Sequence, residues 1–359
     1  MSSLLVFLYL CCHRRWLRKM SRRAVVTILT AITAIVLVAA TLSYVGFQEF
    51  YGRLVSVSPF PVAASFLCTF LFFVLRAARW RILLSEVGGT GFLATLGATG
   101  LGYLVNTLVP VRFGGEVARA AAVSQRRGVT FTAAAGTIVV ERVLDVLYLV
   151  GITSALLLVV PSSFELPQLF VYSAWAAAGL GIGGLIFLIV AAKMREPTVS
   201  FVGKVIDATR LPQEWRRALK NALTSLVDGV ASVRRFYGDA KVNALSFSIW
   251  LTQGAIFSLL LAAAGSDIPL LLSFTGSLLV TVSFVLPGAT GYVDRVIWVW
   301  APLLAALGMA SNQAYEIGLV VHLLSIAFVL ILAATFSSLL GFRVAQVFQG
   351  RLADKASRE

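Results

Sequence analysis

The stretch "NTLVPVRFGGEVARA" (residues 106–120) carries a proline, two adjacent glycines, two arginines and a glutamate inside an otherwise apolar chain. In a soluble protein it would be an ordinary loop. At membrane depth it would be expensive, because open backbone groups and charges meet no water there. Whether it joins two spans or forms polar machinery between them decides how the whole chain is read.

The surroundings favour a membrane. Hydrophobic residues make up 59% of the 359 positions and charged residues 13%, against about 25% charged in soluble domains. Apolar runs at 24–45, 168–192, 243–264 and 317–340 approach or exceed the roughly 20 residues needed to cross a bilayer. The reading is an all-α polytopic membrane protein. Its net charge of +14 would suggest nucleic acid in a soluble protein, but its distribution points instead to membrane topology. Cys11, Cys12 and Cys68 form no redox or metal pattern, and His13 and His322 stand far apart, so neither a metal nor a cofactor is expected. There is no nucleotide-binding loop. The opening "MSSLLVFLYLCC" is too short to span and its charges follow rather than precede it, unlike a signal peptide. It reads as an interfacial extension, with Met20 as an alternative natural start.

Arginine and lysine mark the cytoplasmic face. With 14–23 inside, spans at 24–45 and 60–75 return the chain to "RAARWRILL" (76–84), where Arg76, Arg79 and Arg81 read as topology anchors. The segment 91–109, the opening motif and Arg126–Arg127 then have basic flanks on both sides, which predicts a re-entrant hairpin. Segment 130–160 crosses outward. The second half enters from the opposite side: spans at 168–192 and 243–264, a hairpin from 269–286 and 292–307, and a final span at 317–340. The inside segments under this scheme hold six, seven, ten and four basic residues, twenty-seven of the thirty in the chain. A full span at 91–109 would scatter them over both faces.

The expected architecture is therefore about six full transmembrane helices plus two re-entrant hairpins in an inverted repeat, with halves at 24–160 and 168–341. The breaks match: Pro110, Gly114 and Gly115 in the first hairpin, Pro287, Gly288 and Gly291 in the second. Helices interrupted at corresponding positions of inverted halves place a transporter site at the repeat interface. Segment 193–241 is read as a cytoplasmic amphipathic region resting on the membrane, 1–23 as a basic extension and 342–359 as a cytoplasmic tail. Both termini are expected in the cytoplasm, in an integral multi-pass protein of the cell membrane.

Charged residues in apolar surroundings are the candidate site. They are Arg112, Glu116 and Arg119 in the opening motif; Glu141, Arg142 and Asp145 in "ERVLD"; and Asp294 and Arg295 in the second hairpin. Glu141 and Asp145 stand four apart and share a helix face, whereas Arg142 points about 100° away and needs a partner elsewhere. Arg112 or Arg119 would pair with these acids as struts, or the set would hold a headgroup phosphate in arginine forks. Asn106 either donates to a headgroup or caps open backbone groups. A helix restarting after Gly114 would present free N–H groups to an anion.

Through "NTLVPVRFGGEVARA", "ERVLDVLYL" and "LPGATGYVDR" the sequence resembles the flippase-like family that includes the transmembrane region of lysylphosphatidylglycerol synthases, over about 24–341. The resemblance implies translocation of a lipid headgroup between leaflets. Arg112, Glu116, Arg119, Glu141, Arg142 and Asp145 would line its cavity, with Asp294 as their counterpart from the other half. In larger relatives a fused soluble domain makes the lipid; here, some eighteen residues past the last span, none is expected, and no catalytic residue is assigned. Membrane lipids are the implied partners, and nucleic acid is not. Two further readings stay open: a membrane-embedded transferase or hydrolase acting on a lipid-linked substrate, and a non-transporting subunit of a separate glycosyl- or aminoacyl-lipid synthase.

Overall fold

The structure is a computed structural model that describes residues 46–108, 114–125, 128–157, 195–209, 239–283 and 299–339, with isolated helical positions at 172, 175, 179, 182, 183, 186, 213, 216, 217 and 220. The extension 1–23, the first expected span, Pro110, Arg112, Pro287, Gly288, Gly291, Asp294, Arg295 and the tail 342–359 lie outside the described residues.

Ten helices are described: α1 Phe47–Val55, α2 Pro59–Leu84, α3 Phe92–Leu108, α4 Gly114–Ser124, α5 Phe131–Leu157, α6 Arg195–Ala208, α7 Ala240–Ala263, α8 Leu270–Ser283, α9 Ala301–Ala306 and α10 Ser311–Ser338. No strand occurs among the described residues. Among the described residues three helices are long and apolar enough to cross a membrane: α2 with its following turn, α7 and α10. Helix α5 is as long, with 27 residues, but carries Glu141, Arg142 and Asp145 midway. Helices α3 and α8 are apolar and shorter. Seventeen residues in α3 rise only about 25 Å, short of the ~30 Å hydrocarbon core.

Helix ends follow local chemistry. Pro59 opens α2 after extended Ser58, where its missing N–H costs nothing. The Asp239 carboxylate accepts from the backbone N–H groups of Lys241 and Val242 (2.7 and 3.1 Å) and caps α7. Helices α7 and α9 stop at Gly265 and Gly308, both at positive φ. At each stop two backbone bonds wrap back onto the last turn: Gly265 to Ala262 and Ser266 to Leu261, then Gly308 to Ala305 and Met309 to Leu304.

One stripe of α2 is buried and runs through Phe72, Phe73, Arg76, Ala77, Arg79, Trp80 and Leu83. Its opposite side exposes Phe60, Leu67, Phe70 and Leu71, as befits a helix whose solvent is lipid. The expected span end at Leu75 is corrected: the helix continues nine residues further, so its arginines sit within it. Helix α7 lies along α2, joined by the Ser65 hydroxyl donating to the Ile256 carbonyl (3.0 Å).

Several of the other helix contacts recur in the earlier and the later part of the chain. Helix α2 packs on α3 as α7 packs on α8; α4 on α5 as α9 on α10; α3 on α10 as α8 on α5. Small residues make the close approaches possible. A Cβ at Gly100 would stand 2.8 Å from Cβ of Phe336 and 3.0 Å from the Ala333 carbonyl of α10. A Cβ at Gly115 would overlap the Gly102 carbonyl. Helices α3 and α4 thus form a tight antiparallel hairpin around the sequence break.

Candidate functional site: a buried arginine–carboxylate cluster

Two pairs of charges face one another across the bundle. Arg76 and Arg79 are three apart on α2, and Glu141 and Asp145 are four apart on α5, so each pair projects from a single helix face. Arg76 forks between them, Nη1 donating to Glu141 (3.1 Å) and Nη2 to Asp145 (3.0 Å). Arg79 Nη2 reaches Asp145 at 2.6 Å and Glu141 at 3.2 Å, while its Nη1 donates to the Ser246 hydroxyl of α7 at 3.1 Å. From α4, Arg119 Nη2 donates to the other oxygen of Glu141 at 2.8 Å. All four carboxylate oxygens of Glu141 and Asp145 therefore accept from a guanidinium. The Glu141 and Arg79 side chains are wholly buried.

Aromatic rings complete the walls. The Arg119 guanidinium lies 4.1 Å from the Trp80 ring centre, and Arg76 lies 5.0 Å from that of Phe72. Such faces stabilise a cation by about 0.5–2 kcal/mol. Trp80 is itself fixed by donating Nε1–H to the Thr137 hydroxyl (3.0 Å). Gly102 admits the aliphatic part of Arg119: a Cβ there would collide with the arginine's Cγ and meet the Gly115 carbonyl at 3.0 Å.

One edge of the cluster is open. The Arg142 side chain is 40% exposed and Glu116 is 20% exposed. Arg142 Nη2 stands 3.3 Å from Asp145 and 3.6 Å from Glu141, with Nη1 at 4.0 Å from Glu116. The further partner expected for Arg142 is present in Glu116 of α4, and its long side chain also reaches Asp145, one turn further along α5. Asn106 belongs to the same edge. Its Oδ1 accepts the Gly115 backbone N–H at 2.7 Å, and its Nδ2 donates to Glu116 at 3.4 Å. It caps α4 from the end of α3, so this N–H at the restarting helix is already taken.

Of the residues singled out in the sequence, Asn106, Glu116, Arg119, Glu141, Arg142 and Asp145 come together, with Gly114 and Gly115 at the turn beneath them. Arg112, Asp294 and Arg295 lie outside the described residues. Sequence reasoning placed Arg76 and Arg79 among surface anchors, yet they are core members; only Arg81 is exposed. The signal was available in "RAARWRILL", where arginines three apart are followed by four more apolar residues. Four guanidiniums thus face three carboxylates, leaving one positive charge uncompensated among the described residues. No group of three histidines, cysteines or acids suited to a metal occurs among them.

Comparisons with known proteins agree on the membrane architecture. The chain is 25% identical over 326 residues to the glycosyltransferase AglD of Haloferax volcanii, covering 82% of this chain and 51% of that protein. Over 120 residues it is 30% identical to a UPF0104 membrane protein of Methanocaldococcus jannaschii, covering 32% of this chain and 34% of that one. The chain thus spans about half the length of the first relative and about a third of the second. No solved structure matches it. The model of the lysylphosphatidylglycerol synthase TM region matches residues 24–333, nearly the whole chain, and with its helical, apolar fold this makes the protein an integral membrane member of that family.

Proposed function

We propose that the protein is a lipid translocator, moving a phospholipid or lipid-linked headgroup between leaflets through a polar intramembrane path. The observation that carries this reading is the arginine–carboxylate cluster with its open edge. Charges inside a membrane protein mark substrate pathways, and this cluster has more guanidinium than carboxylate. The inner members, Arg76, Arg79, Arg119, Glu141 and Asp145, are tied to one another by ion pairs and act as a rigid frame. Arg142, Glu116 and Asn106 form the wet wall, where a headgroup phosphate exchanges with carboxylate partners on Arg142. Arg112 belongs beside them by sequence. The acyl chains stay in the bilayer throughout.

The paired helix contacts support an inverted repeat over 24–341, in which α3–α4 is one re-entrant hairpin and α8 begins the other, among about six full spans. Asp294 and Arg295 are then the second hairpin's contribution to the path. The charge distribution supports cytoplasmic termini in the plasma membrane. A leaflet-resolved assay with a labelled phospholipid in proteoliposomes tests the reading. Arg142→Ala and Arg112→Ala should each slow translocation about ten- to a hundredfold, the loss of one charge-assisted hydrogen bond. Rates equal to the unaltered protein in both variants would refute the path.

A second reading is prompted by the relative named a glycosyltransferase: a membrane region acting on, or beside a separate enzyme acting on, a lipid-linked substrate. Against a catalytic role, every oxygen of Glu141 and Asp145 is engaged by arginine, and so many neighbouring cations make each carboxylate a weak proton acceptor. Turnover of a labelled lipid-linked sugar by the purified chain would favour this reading instead.

A further inference from the structure

A second polar site lies at the opposite end of the same helices. The Ser58 N–H donates to the Ala263 carbonyl (2.9 Å), setting the start of α2 against the end of α7. The arginine cluster engages Ser246 near the start of α7. At about 1.5 Å per residue these two levels are roughly 25 Å apart, close to the thickness of a bilayer core. Between α1, the α7–α8 turn and the start of α10 lies an open recess of about 230 Å³, lined by Arg53, Asp267 and Gln313, with the Gly265 and Gly308 turns forming its rim.

We propose that this recess is a headgroup site, on the face opposite the arginine cluster, for a lipid carrying a phosphate and a primary ammonium, as in a phosphoethanolamine headgroup. The inference rests on the translocator reading, for which it supplies the station at the far face. Arg53 gives Nη2 to Glu316 of α10 (3.3 Å), and its Nη1 lies on the Gly265 side of the recess. That nitrogen is placed to donate to a phosphate oxygen. Arg53 and Glu316 cancel in charge, while Asp267 has no ion-pair partner among the described residues. Among the described residues the recess is thus lined by one cation, Arg53, and one anion, Asp267, the two signs that a zwitterionic headgroup presents.

An ammonium would donate hydrogen bonds to the Asp267 carboxylate and the Gln313 amide oxygen. No aromatic ring among the described residues lines the recess, so among them a quaternary ammonium finds no cage of the kind that suits it. The volume falls below the roughly 300–1,000 Å³ of pockets that enclose a whole ligand and fits a headgroup whose chains remain outside.

Nor is the cavity a by-product of the repeat. Gly88 and Gly128 occupy the matching turns of the first half, also at positive φ. There a Cβ on Gly88 would overlap the Gly128 carbonyl, so those turns touch and close the equivalent space.

The test uses the full chain in nanodiscs of phosphatidylglycerol, titrated calorimetrically with glycerophosphoethanolamine, glycerophosphocholine and glycerophosphoglycerol. Binding of the ethanolamine compound should be saturable and about tenfold tighter than of the other two. Asp267→Asn should remove that preference, and Asp207→Asn, an exposed acid elsewhere, should keep it. Equal affinity for all three compounds, or a preference indifferent to Asp267→Asn, overturns the proposal. Asp267-dependent binding without any lipid translocation would uphold the recess and refute the translocator reading. Translocation with Asp267-independent binding would do the reverse.

Discussion

Replacing Glu141 with glutamine removes the single negative charge on which three arginines converge, at 2.8, 3.1 and 3.2 Å. Each such contact amounts to about 5 kcal/mol at an effective dielectric near 20, but burying the partners cancels most of it. Breaking one side of a buried ion pair costs about 3–5 kcal/mol. The cost here should reach that range, because Arg119 is left with no carboxylate and only the Trp80 ring. Against a total stability of about 5–15 kcal/mol this is large. At about 2–4 °C per kcal/mol for a large chain, thermal unfolding in mild detergent should fall by roughly 6–20 °C. Arg81→Gln, at an exposed position on the same helix, should move it by less than about 2 °C. Adding Arg119→Met to Glu141→Gln removes the stranded charge and should recover about 1–3 kcal/mol relative to the sum of the single changes. A Glu141→Gln loss below about 1 kcal/mol, or additivity within about 0.5 kcal/mol, would refute the geometry on which the cluster rests.

Asn106→Ala should cost about 1 kcal/mol by uncapping α4 and should speed amide exchange at Gly115 and Glu116 while leaving α3 unchanged. Gly115→Ala should destabilise by about 1–3 kcal/mol, because the new Cβ meets the Gly102 backbone; Gly151→Ala faces open space and should be neutral or stabilising by about 1 kcal/mol in the same melting assay. Trp80→Phe should cost about 1–2 kcal/mol, through the Thr137 hydrogen bond and a weaker face for Arg119, read as a drop in melting temperature. Arg53→Gln, which breaks a partly buried pair with Glu316, should change stability by no more than about 1 kcal/mol.

Much of the site was legible because its residues break the local rule of the chain. Glu141 and Asp145 interrupt an apolar helix at a spacing that puts both on one face, and Arg119 falls on the short helix after the glycine pair. The Gly114–Gly115 pair likewise marks the start of α4. Arg76 and Arg79 were harder to read, since arginines after an apolar run serve equally as surface anchors and as buried partners. What separates these roles is a carboxylate sixty-odd residues away, which no local pattern contains. Arg142 illustrates the same limit at short range: its backbone direction is set by the helix, but its side chain is long enough to return to Asp145.

Composition and periodicity alone determined that the chain is helical and apolar, where its first hairpin turns, and which acids face inward together. These features depend on a residue's own chemistry and its neighbours within a turn or two. Only the tertiary structure decided that α2 supplies two of the four arginines of the cluster, that Asn106 caps α4 rather than standing free, and that the Gly265 and Gly308 turns stand around a recess while Gly88 and Gly128 touch. Those outcomes depend on which helices meet, and that is settled by small residues such as Gly100, Gly102 and Gly115 letting backbones approach until distant charges come within hydrogen-bonding distance.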